Sequence, residues 1–385
     1  EASERIPILP LTEAESQEVL TTAGITGDRL LSTITEICQG TPYYMYLSVK
    51  RWQKIQQRRS PQVEDFAGKP EEFLTTEAAT WDPEELRMLQ VLAIPRQWDE
   101  ARFDRLMQQQ HLETWRGRFA EVIASLYIEG VAEGKWRLHP LMRQYLLETQ
   151  PQQQRQTLHQ GLYEELRQEY LQAQTPQAAI LLLDEALDQA IDSSHSEEAT
   201  AWVLAQMPTH QEQYQHSEVV EMLRSLVKRL GETVTATTAK AQMLLGYSLS
   251  ELGETEKALK ELEIAKAQYA AVGLGDSLEA ARVEYELAGV YLAGDRTFDA
   301  KNAAMRSQEL RQQQLGKDAP EVAEVLNRLA AIASDCEEYR EAVFCCDRAL
   351  EILKSQPQPN PIQLATVKKT AALENLQILR DKRNS

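Results

Sequence analysis

Few residues in this chain have the types and spacing that chemistry needs. Gly130-x-x-x-Gly134-Lys135 looks like a phosphate-cradling loop. A Walker A loop, however, has four residues between its glycines and Ser or Thr after the Lys. Here three residues intervene and Trp136 follows, so the segment reads as the turn of a hairpin. Cys38, Cys336, Cys345 and Cys346 form no C-x-x-C pair and have no His cluster beside them. They read as reduced core thiols, not as a disulfide or metal framework. Cys345-Cys346 invites a redox reading, but Cys346 falls at an apolar repeat position, which favours packing. No Ser–His–Asp, H-E-x-x-H, EF-hand or paired-carboxylate constellation occurs. The expectation is a chain without a catalytic residue, a metal site or a cofactor of its own. Two short segments remain, Gly40-Thr41-Pro42 and Leu138-His139-Pro140-Leu141. By residue type alone, Pro42 breaks the chain between two helices, and His139 is a cap or satisfied histidine at a strand–helix junction.

Composition sets the frame for those segments. The 385 residues suffice for two or three packed units, and 43% apolar with 26% charged residues is ordinary for a soluble protein. With only 16 Gly and 15 Pro and frequent Gln, helix is favoured. The net charge of −18, from 41 basic and 59 acidic residues, repels phosphate backbones and anionic lipid headgroups. The default partner is therefore a protein or a small ligand. The basic run from Lys50-Arg51 to Arg58-Arg59 reads as a solvated helix end, with an anion or interdomain contact as the sharper alternative. No eighteen-residue apolar stretch and no signal peptide are present, so the expected location is cytoplasmic, away from membranes. The chain opens on Glu1, not Met, which fits a fragment of a longer protein.

The strongest signal is internal repetition. Small residues recur at Gly246, Ala288 and Ala330, at intervals of 288 − 246 = 42 and 330 − 288 = 42. Two parallel ladders share the period: Ala258, Ala300 and Ala342, then Ala265, Ser307 and Ala349. Where two antiparallel helices cross closely, only a small side chain fits between the backbones, and a second one lets the next pair stack. Leu249, Leu262, Tyr291 and Leu326 are expected to fill the remaining space. Turns are expected at Leu252-Gly253-Glu254, Ala293-Gly294-Asp295 and Cys336-Glu337-Glu338. Asp318 is expected to cap a helix with Pro320 in its first turn and Glu321 three residues on. One further period gives Ala372, inside a capping helix expected over Pro361 to Leu379, after the Pro-rich linker that begins at Gln356. Stepping back gives Leu204 in a weaker pair at about 196–230, preceded by another at 153–193.

These segments resemble tetratricopeptide (TPR) repeats. They share the small residues at the eighth, twentieth and twenty-seventh positions, and the 42-residue period resembles the kinesin-light-chain variety. The aromatic at the family's fourth position is missing throughout.

The N-terminal half carries its own signals. Thr12-x-x-Glu15 is a capping box opening a helix that ends near Ala23-Gly24. A helix over Asp28–Cys38 and another over Tyr43–Gln57 follow, separated by Gly40-Thr41-Pro42. Asp82-Pro83-Glu84-Glu85 starts a further helix, with Leu86, Leu89 and Leu92 on one face. Helices at about Asp99–Gln110 and Phe119–Leu126 come next. A hairpin is expected from Leu126–Val131 and Lys135–His139 around Glu133-Gly134, then a helix over Pro140–Glu148.

That order is similar to a winged helix, and residues 1–150 resemble the lid and winged-helix domains of STAND (NB-ARC-like) signalling ATPases. Leu9-Pro10-Leu11-Thr12-Glu13-Ala14-Glu15 resembles the segment after the family's nucleotide domain. Gly40-Thr41-Pro42 matches its G-x-P motif, whose Pro packs against adenine. Leu138-His139-Pro140-Leu141 sits where the family has Met-His-Asp, whose His reaches the β-phosphate of ADP. The resemblance implies nucleotide contacts at Pro42 and His139. Pro140 replaces an Asp, so a carboxylate that would orient the His or cap the helix is gone.

The resulting expectation is an all-α chain with one small β-hairpin wing: a helical lid plus winged helix followed by a TPR-like α-solenoid. Its parts are a lid at 1–60, a winged helix at 75–150, divergent helical repeats at 151–235 and TPR repeats with a capping helix at 238–385. By resemblance, ATP or ADP with Mg would bind an ATPase domain preceding this chain. That domain and a protein, peptide or small-molecule effector in the TPR groove are the expected partners of a regulatory sensor region. Two alternatives stand beside it: a winged-helix transcription regulator and a stand-alone TPR scaffold. The candidate recognition helix carries Arg116 and Arg118 against Glu121, Glu129 and Glu133, a balance poor for nucleic-acid contact.

Overall fold

The architecture is that of a computed structural model describing residues 10–66, 81–125, 127–132, 134–231 and 233–357, with scattered positions in 74–79 and 363–378. Leu9, Leu126, Glu133 and Ala372 lie outside the described residues. The chain divides after Leu158 into two compact units.

The first unit begins with α1 (Glu13–Thr22), opened by a capping box: Thr12 Oγ1 accepts from Glu15 N, and Glu15 accepts from Thr12 N at 2.8 Å. α2 (Asp28–Cys38) ends in left-handed backbone at Gln39 and Gly40, and α3 (Pro42–Gln56) starts with its proline in the first turn. Gly40 has φ +70°, and a Cβ there would lie 2.1 Å from Leu11 O, so only glycine lets the segment before α1 cross the α2–α3 corner. Leu11 N seals that crossing by donating to Gly40 O at 2.9 Å. Leu20, Ile34, Met45, Trp52 and Phe66 belong to the core beneath.

Farther along come α4 (Pro83–Leu92), capped by Asp82 through Glu84 N and Glu85 N, and α5 (Glu100–Gln109), capped by Asp99 through Arg102 N. α6 (Phe119–Ile123) stops sooner than the sequence suggested, with Ala124 as its cap. The antiparallel hairpin β1 (Ile128–Ala132) and β2 (Lys135–Leu138) pairs Gly130 with Trp136, and α7 (Pro140–Thr149) follows. Trp98, fully buried, exchanges backbone hydrogen bonds with Trp136 at 2.8 Å each way and so adds a third strand residue. The order helix–helix–helix–hairpin–helix is the one read from the sequence.

α8 (Gln152–Leu171) leads into the second unit, which continues through α9 (Pro176–Asp192), α10 (Ser196–Glu212) and α11 (His216–Leu230). Three regular pairs follow: α12 (Ala236–Glu251) with α13 (Thr255–Ala271), α14 (Leu278–Ala293) with α15 (Thr297–Leu315), and α16 (Pro320–Asp335) with α17 (Tyr339–Ser355). First helices start at 236, 278 and 320 and end at 251, 293 and 335, each step being 42 residues. This region is a TPR-like solenoid, and helices with one small hairpin account for the whole of the described fold.

The period reaches finer features. Residues with φ > 0 close the corners at Gly253, Asp295 and Glu337, again 42 apart, so the left-handed position is Asp295 and not its glycine neighbour Gly294. Thr235 and Ser277 cap their helices at equivalent positions. Their counterpart Ala319 cannot, and Asp318 does not replace it: its carboxylate is bonded to Arg348 instead. Gly246, Ala258, Ala265, Ala288, Ala300, Ser307, Ala330, Ala342 and Ala349 are all buried. A Cβ on Gly246 would come within 2.6 Å of Leu262 Cγ. Ser307, the one hydroxyl in the set, donates to Ala281 O at 2.7 Å and so enters the core without an unmet donor. Leu249, Leu262 and Leu326 fill the core as expected. Tyr291 is half-exposed because its hydroxyl reaches Glu263, and Cys336 is exposed at a corner, so neither is a core residue. In the capping segment the described positions are helical, with Val367 and Ala371 buried.

Ala300 has no exposed surface at the crossing of α14 and α15. Ala300→Leu overpacks that crossing and is expected to cost about 1–3 kcal/mol. A urea-unfolding midpoint unchanged by the substitution would contradict the packing register.

Candidate functional site

Two places gather the chemistry-bearing residues, one in each unit. In the first unit the two singled-out segments meet through a residue that spacing did not reveal. Pro42 is exposed in the first turn of α3. The next residue, Tyr43, is buried and stacks its ring on His139, with centroids 3.4 Å apart and planes 4° from parallel. His139 is held by its backbone, which donates to Tyr127 O at 2.7 Å, and by its ring, whose Nδ1 accepts from Leu141 N at 3.3 Å. The ring therefore serves as the N-cap of α7. An accepting Nδ1 places the proton of the neutral imidazole on Nε2. Burial lowers the His139 pKa from its usual value, Glu129 opposing and Arg137 adding to the shift.

Beside Gly40 lies a cavity of about 410 Å³ lined by Leu11, Glu13, Ser16, Thr35, Glu36 and Gln39 among others. Ser16 Oγ and Thr35 Oγ1 are buried there without a hydrogen-bond partner. Buried unpaired hydroxyls cost about 1–3 kcal/mol each, so these two mark a place where a ligand's polar groups would be accepted.

Several other charges of this unit are paired internally. Arg59 of the basic run is held by Asp65. Arg116 pairs with Glu113 at 3.1 Å, Arg118 pairs with Glu121 and lies over Trp115, and Lys135 bonds Asp99 at 2.6 Å. Gly134 and Lys135 form the hairpin turn.

In the second unit the first helices α12, α14 and α16 are neighbours, and one face of them carries a cationic and aromatic strip. The Arg328 guanidinium lies 4.2 Å from the Tyr285 ring centroid, and that of Arg311, a buried residue of α15 paired with Glu324 at 3.0 Å, approaches the same ring at 4.9 Å. Arg282 reaches toward Tyr247 and bonds Glu286 at 3.1 Å. Burial pushes the Glu286 carboxyl up, and Arg282, Arg328 and Arg311 pull it back. A Cβ at Gly289 would lie 2.0 Å from Arg328 Nη1, so a larger residue there would push the guanidinium aside. Asn327 Oδ1 is buried without a partner at the edge of a cavity of about 140 Å³. The sequence held one clue to this strip. Glu286 and Arg328 are 42 residues apart, so the period places opposite charges side by side on adjacent helices.

No protein-family model matches the chain, and no curated protein is similar to it. Solved structures share its repeat fold at low identity. BtubC (BKLC) from P. vanneervenii is 18% identical, over 61% of this chain and 91% of its own, with TM-score 0.39. A Podosopora anserina protein described as a kinesin light chain with nearly identical TPR-like repeats is 19% identical, over 52% and 97%, with TM-score 0.40. A signal transduction ATPase with numerous domains (STAND) and a tetratricopeptide repeat sensor, from Pyrococcus horikoshii, is 14% identical with TM-score 0.39. That match covers 96% of this chain and 57% of the ATPase, so the chain spans little more than half of that protein's length. At these scores the likenesses carry no argument about activity.

The lowered His139 pKa has a consequence for stability. Below the ordinary value of 6.5 the unfolded chain takes up the proton more readily than the folded one. The stability contributed by the neutral ring is complete above that value and is lost as the pH falls through the lowered one. In urea titrations, wild type is expected to lose more stability on acidification below about pH 6.5 than His139→Gln does. Equal slopes would overturn the assignment.

Proposed function

We propose that this chain is the sensor and protein-interaction region of a signalling switch of the STAND type. The observation that carries the interaction part is the strip on α12, α14 and α16. An acidic chain of net charge −18 gathers Arg282 and Arg328 around two tyrosines on its first helices, with buried Arg311 of α15 behind them. Such a surface favours an acidic segment of a protein partner, with guanidinium groups binding carboxylates and ring faces covering apolar stems.

The switch part rests on the contact between Tyr43 and His139, which links the lid segment to the hairpin–helix junction. A nucleotide bound by an upstream ATPase domain would meet Pro42 and the Nε2–H of His139, and the cavity beside Gly40 would accept its polar groups. ADP would hold these segments together, and an effector would have to bind the two states with different affinity to shift them. The transcription-regulator reading is disfavoured because the candidate recognition region sets Arg116 and Arg118 against Glu113, Glu121 and Glu129, a charge balance poor for phosphate contact.

Titration with a fluorescent Asp/Glu-rich peptide tests the interaction. Saturable binding is expected, weakened about tenfold or more by Arg328→Glu. Binding indifferent to that reversal would sink the strip as the docking face. For the switch, the natural gene product containing this chain should bind ADP, and His139→Ala should weaken it about tenfold, the size of one hydrogen bond to a charged group. A gene product that binds no adenine nucleotide removes this part and leaves a TPR scaffold.

A further inference from the structure

A trough of about 470 Å³ lies between α13 and α15, floored by α14. It is lined by the second helices of two successive pairs and lies apart from the arginine strip of the first helices. Along α14 it runs from Ala280 to Tyr291, about 16 Å at the helical rise. Glu284 lies in its floor, 7% exposed. Among the described residues the cation in contact with Glu284 is Lys266, whose Nζ reaches its carboxylate at 2.8 Å from a side chain that is 55% exposed, while Arg306 acts on it from farther away.

The repeat itself shows that the fold does not require a carboxylate here. One period on, the position of Glu284 is held by Leu326, which is buried in the core. Other lining positions change in the same sense: Tyr291 corresponds to Ala333, and Asn302 to Phe344. A buried carboxylate is costly to keep where an apolar side chain would pack. The pair α14–α15 therefore departs from its own repeat to place a charge in the floor of an open trough.

The local charge balance selects the ligand. Arg306 at the rim is already held by Glu309 and Asp276. At the other end Asp299 pairs with Arg296, and the Tyr291 hydroxyl donates to Glu263. Counting the lining charges together with their partners, five carboxylates stand against the three cations Lys266, Arg296 and Arg306. Lys266 is mobile enough to give way, because most of its stem is in water.

We propose that the α13–α14–α15 trough is a binding site for a small organic ammonium compound, whose charged nitrogen takes the place of the Lys266 Nζ on Glu284. A linear diamine fits the charge: one ammonium sits on Glu284, and the second lies toward Asp299 and Tyr291. The site is independent of both the nucleotide contact and the arginine strip.

Calorimetric titration of the full chain with 1,4-diaminobutane tests it, with succinate and glycine as comparison ligands. Saturable diamine binding is expected, lost by about tenfold or more in both Glu284→Gln and Glu284→Leu and kept or tightened in Lys266→Ala. Glu284→Leu should melt at the same temperature as wild type or higher, since it restores the residue type of the next repeat. If that variant fails to fold, Glu284→Gln decides. Absent diamine binding, or binding equal in wild type and both variants, overturns the proposal, the second result meaning diffuse attraction to an acidic surface. Succinate binding abolished by Lys266→Ala, or glycine bound more tightly than the diamine, overturns it also.

Discussion

The solenoid depends on how closely two helix backbones can approach. At Gly246 the space for a Cβ is already taken by Leu262, and at Ala288, Ala300 and Ala330 nothing larger than a methyl enters the crossing. Everything else in the second unit follows from that clearance. It fixes the depth at which the larger side chains interlock, it brings first helices side by side, and it sets Tyr285 under Arg328. The hydrophobic gain is spread over many residues, but the geometry is set by a few small ones.

What the sequence made legible was periodic or local. The small-residue ladders gave the register of the three pairs because steric exclusion acts at the same position in every copy. Capping boxes and first-turn prolines gave helix starts because their partners lie within four residues. Features whose partners are distant were hidden. Tyr43 meets His139 only after the chain has folded back over nearly a hundred residues, and neither residue type announces the other. Asp318 looked like a cap because it precedes Pro320. Arg348, thirty residues later, outcompetes the local backbone for its carboxylate. At the expected corners, the left-handed residues Asp295 and Glu337 were hidden for the opposite reason: only Gly253 among the three is the residue type that betrays such a conformation.

The two sites also differ in how they use burial. In the first unit, burial keeps His139 neutral, so the ring can accept a backbone hydrogen bond and cap α7. In the second, burial raises the Glu286 carboxyl and the guanidinium groups around it offset part of the loss of water. A neutral ring and a compensated carboxylate each hold neighbouring elements in register, and the groups that face outward are free for recognition.

The equal boundaries of the three first helices have a mechanical meaning. Units of one period, each touching its neighbours, behave like springs in series. A small twist imposed on one pair adds to the next instead of being absorbed in a loop. A partner gripping several first helices at once would thus choose the pitch of the whole array. Mutations that stiffen a single crossing would tune how far that choice is felt along the stack.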